Sequence, residues 1–276
     1  MMKKSRKESL LNLLLYFVLM IGAVAVIVPL AIMVFGSFKT ALEAAKLDLS
    51  LPSQWNFENY STVIEEGKMV RAFFNSLLIM VLSVGGTLLC AAPCGYVLSR
   101  RKQRTSRTIF KYIFIGQVAP YQIVTTFILF KFLHISSYPA AILLFTAINI
   151  PFSTMIYEGF VKNIPVELDE AATLDGCTPM QVFFKVILPL MKPVSMTCII
   201  TTAIAVWNEF MIPLYMLSST KEWTLPLTVY NFYGRYSSEW NLVFACLILS
   251  SVPMIIIYLC LQKYIVAGMT AGAVKG

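Results

Sequence analysis

From Leu11 to Phe35 the chain carries no charged side chain. A bilayer core of about 30 Å is crossed by roughly 20 helical residues at about 1.5 Å each, so this run is long enough to span a membrane. Comparable apolar runs recur at Phe73–Leu98, Thr108–Leu133, Tyr138–Ile156, Ser195–Leu217 and Leu242–Leu261. In lipid every backbone N–H and C=O needs a partner within the protein, so spans of this kind are helices. The pattern predicts an all-α membrane protein with six transmembrane helices. Charged residues make up 13% of the 276, about half of what a soluble domain carries. No stretch between the runs has room for a large soluble domain.

The first ten residues, MMKKSRKESL, are cationic. Ala23-Val24-Ala25 mimics a signal-peptidase site, but the apolar run continues past it to Phe35, so the first span reads as uncleaved. With the N-terminus inside, Lys and Arg favour the inner segments by fifteen to seven. Arg100, Arg101, Lys102, Arg104, Arg107 and Lys111 form the densest group. That bias predicts both termini in the cytoplasm, with the basic loop lying beside anionic lipid. The net charge of +8 is therefore a topology signal, and no nucleic-acid partner is expected. The outer segments are Lys39–Arg71, with Pro52, Trp55 and Tyr60, and a last loop crowded with Trp223, Tyr230, Tyr233, Tyr236 and Trp240. Such aromatics suit the headgroup level of a membrane.

Several kinds of chemistry find no support. Cys90, Cys94, Cys198, Cys246 and Cys260 lie inside apolar runs and Cys177 in a polar loop, with no zinc or disulfide spacing. His134 is the sole histidine and sits at the outer end of the third span. No nucleophile stands in a recognisable arrangement with a base, so no catalytic residue is expected. The tail Gly268–Lys275 looks superficially like a phosphate loop, but it lacks the GxxxxGK[ST] spacing and has no Ser or Thr after Lys275.

One polar segment interrupts the apolar pattern, ELDEAATLDGCTPMQVFFKVILPLMKPV, from Glu167 to Val194. It reads as two short helices. Asn163 is a candidate cap before Pro165, and Glu167, Asp169 and Glu170 complement the positive end of the first helix dipole. Gly176 can adopt the left-handed conformation that closes it. Thr178 starts the second helix, with Pro179 in the first position and Gln181 completing a capping box. Met180, Phe183, Phe184 and Ile187 form an apolar stripe at helical spacing, and Pro189 is expected to stop the helix. Such a stripe must bury itself against the protein's own spans, the membrane surface or a partner's groove.

Glu170-Ala171-Ala172, then Gly176, Val186 and Leu188-Pro189, resembles the EAA loop of bacterial ABC importer permeases, which usually have Ile where Val186 stands. The longer form ELDEAATLDG with LPLMKP is similar to the sugar-importer branch. Asn75-Ser76-Leu77 at the start of span two, Trp207-Asn208-Glu209-Phe210 in span five, and Gln262-Lys263-Tyr264 with the tail Gly268–Gly276 agree with it. The tail resembles that of the maltose-type "G" permeases. The likeness runs from about residue 11 to 276.

The resemblance implies a type I ABC importer permease in a bacterial plasma (inner) membrane. Its organisation would be a cytoplasmic N-terminus (1–10), a transmembrane domain (11–276), a cytoplasmic coupling loop (158–194) and a cytoplasmic tail (262–276). Implied partners are a second homologous permease, two cytoplasmic ATPase subunits that hold ATP and Mg, and an extracytoplasmic sugar-binding protein. No cofactor would bind this chain. Glu170, Ala171, Ala172, Asp175, Gly176, Phe183, Phe184 and Pro189 would form the ATPase-coupling element. Gly268, Gly272, Lys275 and Gly276 would reach the ATPase interface.

Glu209 is the only acidic residue deep within a predicted span, and such residues face a bundle interior or a wet cavity. With Trp207 and Asn208 it suits either a sugar path or a gating and packing network between two permeases. Gln117, Gln122 and Asn149 read as interhelical hydrogen-bonding groups. Gly85-Gly86, and Ala91 with Gly95, read as close-packing surfaces. Pro29, Pro93, Pro120, Pro151, Pro213 and Pro253 are candidate kinks. Competing readings are a proton-coupled secondary transporter using Glu209, a membrane-embedded enzyme or scaffold, and an importer permease for a non-sugar solute.

Overall fold

The structure, a computed structural model, describes residues 6–101, 103–234 and 239–273, with side chains from 12 to 259. Among the described residues it is helical throughout, without a β-strand. Four helices are long and apolar enough to cross a membrane: Asn12–Gly36 within the helix Arg6–Gly36, Met69–Arg100, Ser137–Val161, and Trp240–Leu259 within the helix Trp240–Ala273. Their mean hydropathies run from 1.7 to 2.9. Two further apolar segments are pairs of helices bent sharply at a break, Arg104–Val118 with Ile123–Phe132 at 114°, and Pro179–Leu190 with Lys192–Asn208 at 76°.

The chain divides into two compact units. The first joins Met1–Met69 to Thr228–Ser251. Its long Arg6–Gly36 helix exposes Leu13, Phe17, Leu19 and Val26, the mark of a face meant for lipid or another chain. Gly36 lets the Phe244 ring approach so closely that a side chain there would collide with it. Beyond it, Lys39 is buried, with Nζ 2.6 Å from Asp48 Oδ1, 3.0 Å from Ser50 Oγ and 3.2 Å from the Asp48 carbonyl. Phe38 packs against Trp55, Phe57 and Tyr60. The Asn59 amide donates to the carbonyls of Ser37 and Lys39, and its oxygen accepts from Asn241 at 3.0 Å. The 39–60 segment is thus an ordered structure rather than a plain connection.

The second unit joins Val70–Leu227 to Val252–Gly276. Gly95 brings the Met69–Arg100 and Ser137–Val161 helices together: a Cβ there would lie 2.6 Å from that of Tyr157. Gly86 faces Thr146 closely, whereas Gly85 faces open space, so only Gly86 of that pair is a packing surface among the described residues. Asn75 donates to the carbonyls of Lys221 and Trp223, both at 3.0 Å, and Ser76 Oγ accepts the Leu225 amide at 2.8 Å. These two residues pin the last loop to the start of the Met69–Arg100 helix.

Two predicted spans are not continuous helices. The 108–133 run breaks at residues 119–122, where Ala119 turns extended (ψ 122°) ahead of Pro120. Proline lacks the amide hydrogen and disfavours helical geometry in the residue before it. The 195–217 run ends its main helix at Asn208, with Glu209 extended (ψ 129°), before a short helix Met211–Met216. Pro213 stands four residues beyond Glu209, so it offers no donor to the Glu209 carbonyl and its ring would clash with it in a continuous helix. Pro29, Pro93, Pro151 and Pro253 instead lie inside helices.

Candidate functional site

The Glu167–Val194 segment folds as two short helices, but its details differ from expectation. The first helix is Glu167–Leu174, and Val166 precedes it without a side-chain cap. Asn163 does not cap it: its amide donates back to the Gly159 carbonyl at 3.3 Å. Gly176 is left-handed (φ 81°), with its N–H on Thr173 O and the Cys177 N–H on Ala172 O, both at 3.0 Å. This pair of bonds is the Schellman closure, which satisfies carbonyls the helix end would leave open. Thr178 and Gln181 form the predicted capping box, with Gln181 Oε1 accepting the Thr178 amide at 2.8 Å.

Helical spacing does not survive past Gln181. Val182–Ile187 is a π-helical turn, in which the Leu188 amide reaches the Phe183 carbonyl. Pro189 cannot donate to the carbonyl four residues back, and the wider turn accommodates it. Pro189 also does not end the helical course, which continues through Leu190 and breaks at Met191. The predicted stripe therefore splits. Phe183 and Ile187 are buried, while Met180 and Phe184 are 67% and 52% exposed.

The buried side has a clear partner, the protein's own long helices. Ala172, Val182, Phe183 and Ile187 share one apolar cluster with Ala91, Ala92, Tyr157 and Val161. The Phe183 ring lies 5.4 Å from that of Tyr96 and 5.0 Å from that of Phe184. The opposite side presents Glu170, Ala171, Leu174, Asp175 and Gly176, all exposed, with Leu174 at 89%. Of the predicted coupling residues, Ala172 and Phe183 thus anchor the loop, and Glu170, Ala171, Asp175, Gly176, Phe184 and Pro189 remain on its surface.

A feature missed in the sequence holds this loop. Arg100 Nη2 lies 2.8 Å from Asp169 Oδ2, and Arg100 Nη1 donates to the carbonyls of Ile164 and Val161 at 3.0 and 3.3 Å. The Tyr96 hydroxyl donates to Asp169 Oδ1 at 2.5 Å. In the sequence Arg100 reads as one member of a basic run lying beside anionic lipid. Nothing in its neighbours distinguishes it, and the one usable signal is its place on the same helical face as Tyr96.

The two breaks meet at a second location. A cavity of roughly 310 Å³ is lined by Gln117, Pro120, Tyr121, Asn149, Ala205 and Glu209 among others. Glu209 is the one acidic residue in its lining. Its Oε1 accepts the amides of Met211 at 2.8 Å and Ile212 at 3.4 Å. Trp207 and Asn208 do not share the cavity. Trp207 is buried with its ring 5.9 Å from Phe73, and Asn208 is exposed. Gln122 also lies outside it. Of the predicted tail residues, Gly268 and Gly272 fall on the last helix, past its described side chains, and Lys275 and Gly276 lie outside the described residues, as do Arg235 and Tyr236 of the last loop.

Long apolar helices, a folded polar loop braced on them, and a cavity at opposed helix breaks define a multi-pass membrane transport subunit. Residues 89–271 match the family described as binding-protein-dependent transport system inner membrane component, and the chain belongs to that family. It is 32% identical over 277 residues to the multiple sugar-binding transport system permease protein MsmG of Streptococcus mutans, covering 98% of this chain and 100% of that one. It is 30% identical to the probable starch degradation products transport system permease protein AmyC of Thermoanaerobacterium thermosulfurigenes, over 98% and 99% of the two chains. Its fold superposes with a TM-score of 0.82 on a chain of a bacterial ABC transporter involved in the import of the acidic polysaccharide alginate, at 21% identity, over 96% of this chain and 99% of that one.

Proposed function

We propose that this chain is the membrane permease of an ATP-driven, binding-protein-dependent sugar importer. The observation that carries the mechanism is the two-sided Glu167–Leu190 loop, sealed on the Ala91–Tyr157 cluster and open at Glu170, Ala171, Leu174 and Asp175. An extramembrane helix pair with one face anchored and the other unpartnered is suited to receive a partner. The partner is a separate ATPase subunit, which binds ATP and Mg. Two such subunits, a second permease and an external sugar-binding protein complete the assembly. Each of the two bent helix pairs contributes one crossing, which makes six spans, and both termini lie in the cytoplasm.

The sugar reading is supported by the names of the relatives and by the cavity. Gln117, Asn149, Tyr121 and Glu209 offer acceptors, amide donors and an aromatic ring, the groups that meet sugar hydroxyls and sugar ring faces. Transport moves the sugar unaltered by alternating access, with the breaks at residues 119–122 and 209 as points where helix halves reorient. Uptake of a panel of labelled neutral oligosaccharides by cells with and without the gene tests the proposal. Uptake that needs the gene and resists a protonophore while ATP is kept up supports it. Gene-dependent uptake that collapses with the proton gradient and fails on Glu209→Gln would establish proton coupling instead.

A further inference from the structure

We propose that Arg100 and Asp169 are positioning residues that pass movement of the Glu167–Leu190 loop to the Met69–Arg100 helix. The inference rests on the permease reading above and assigns the step between loop movement and span movement.

The loop is held to the spans by two kinds of contact. The apolar cluster around Ala172 and Phe183 resists separation, but apolar packing is not directional and allows sliding. The polar contact is directional. Tyr96 and Arg100, one turn apart on a single helix, grip both oxygens of Asp169. Arg100 also binds carbonyls of Val161 and Ile164, at the end of the neighbouring Ser137–Val161 helix. Three elements therefore meet at one guanidinium.

Burial makes the contact all-or-none. The Arg100 and Asp169 side chains are 14% and 16% exposed, so pulling one away strands its partner in a poorly solvated place. Asp169 precedes Glu170 and Ala171 on the same eight-residue helix, whose other side is open. A displacement imposed on that open side is delivered to the Met69–Arg100 helix through Asp169 rather than dissipated in the loop.

The test uses the whole transporter, purified and placed in lipid nanodiscs. The six native cysteines are replaced, and Ala205→Cys in the cavity wall reports opening through its rate of maleimide alkylation, with and without ATP and vanadate. The parent complex should show a several-fold vanadate-dependent change. Asp169→Asn and Arg100→Gln should retain copurified ATPase and its basal ATP hydrolysis yet lose that change. Asp169→Glu should recover it. A full vanadate-dependent change in Asp169→Asn would overturn the proposal. Joint loss of bound ATPase and ATP hydrolysis would also overturn it, by making the pair a folding or docking element. A parent complex with no ATPase at all would remove the permease reading itself.

Discussion

The Glu209 carboxylate accepts the Met211 amide at 2.8 Å, so the acidic residue of the fifth apolar run caps a helix that begins two residues later. It occupies a break forced by Pro213 and satisfies amides that the break would leave open. Replacing a helix cap by Ala costs about 0.5–2 kcal/mol. Glu209→Ala should lower the thermal midpoint of the purified complex, and Glu209→Gln, which keeps an acceptor oxygen, should lower it less. Equal midpoints for the two variants would contradict the capping role.

Gly95 and Gly85 make a matched pair on one helix. A Cβ at Gly95 meets Tyr157 Cβ at 2.6 Å and Glu158 N at 3.0 Å, whereas one at Gly85 meets nothing within 4 Å. Gly95→Ala should destabilise by about 1–3 kcal/mol through overpacking. Gly85→Ala should be neutral or stabilise by up to about 1 kcal/mol, since alanine favours a helix. Thermal unfolding in detergent separates the two.

At Gly176 the cost comes from the backbone alone, because φ is 81° and the space around it is open. Left-handed geometry costs a residue with a Cβ roughly 1–2 kcal/mol. Gly176→Ala should leave membrane insertion unchanged and reduce copurified ATPase, with Glu170→Lys reducing it further through the exposed face. Undiminished ATPase recovery in both variants would contradict a docking role for this side of the loop.

Hydrogen bonds from Lys39 and Ser50 hold the Asp48 carboxyl down to about 2, against its ordinary 3.8. A carboxyl held low in the folded state contributes stability above its unfolded pKa and loses it as the folded pKa is passed. Resistance of the 39–60 segment to an acid-tolerant protease should therefore hold from neutral pH to about 4 and decline toward 2. Asp48→Asn should weaken resistance at neutral pH and flatten the dependence.

Much of the fold was legible because it follows from local chemistry. The Thr178–Gln181 capping box and the left-handed Gly176 each depend on residues within one turn. The 108–133 and 195–217 runs were read as single spans because hydropathy stays high across Pro120 and Pro213, and a proline marks a candidate kink without fixing its angle. Phe183 and Phe184 were assigned one role because a stripe assumes α-helical spacing, and the π-turn at Val182–Ile187 changes which side chains face inward. The second role of Arg100 was illegible for a different reason. Its partner is far along the chain, and a charge in a basic run looks the same in sequence whether it faces lipid headgroups or is clasped by a carboxylate. The cavity joins Gln117, Asn149 and Glu209 only after two helices have broken, so no spacing in the sequence brings them together.

The most direct test of the account is to tag this chain in its native membrane, extract it gently and identify what copurifies. The account predicts a second permease and an ATPase, with two ATPase subunits for each copy of this chain. A chain that purifies alone, under conditions that hold other ABC complexes together, would contradict it.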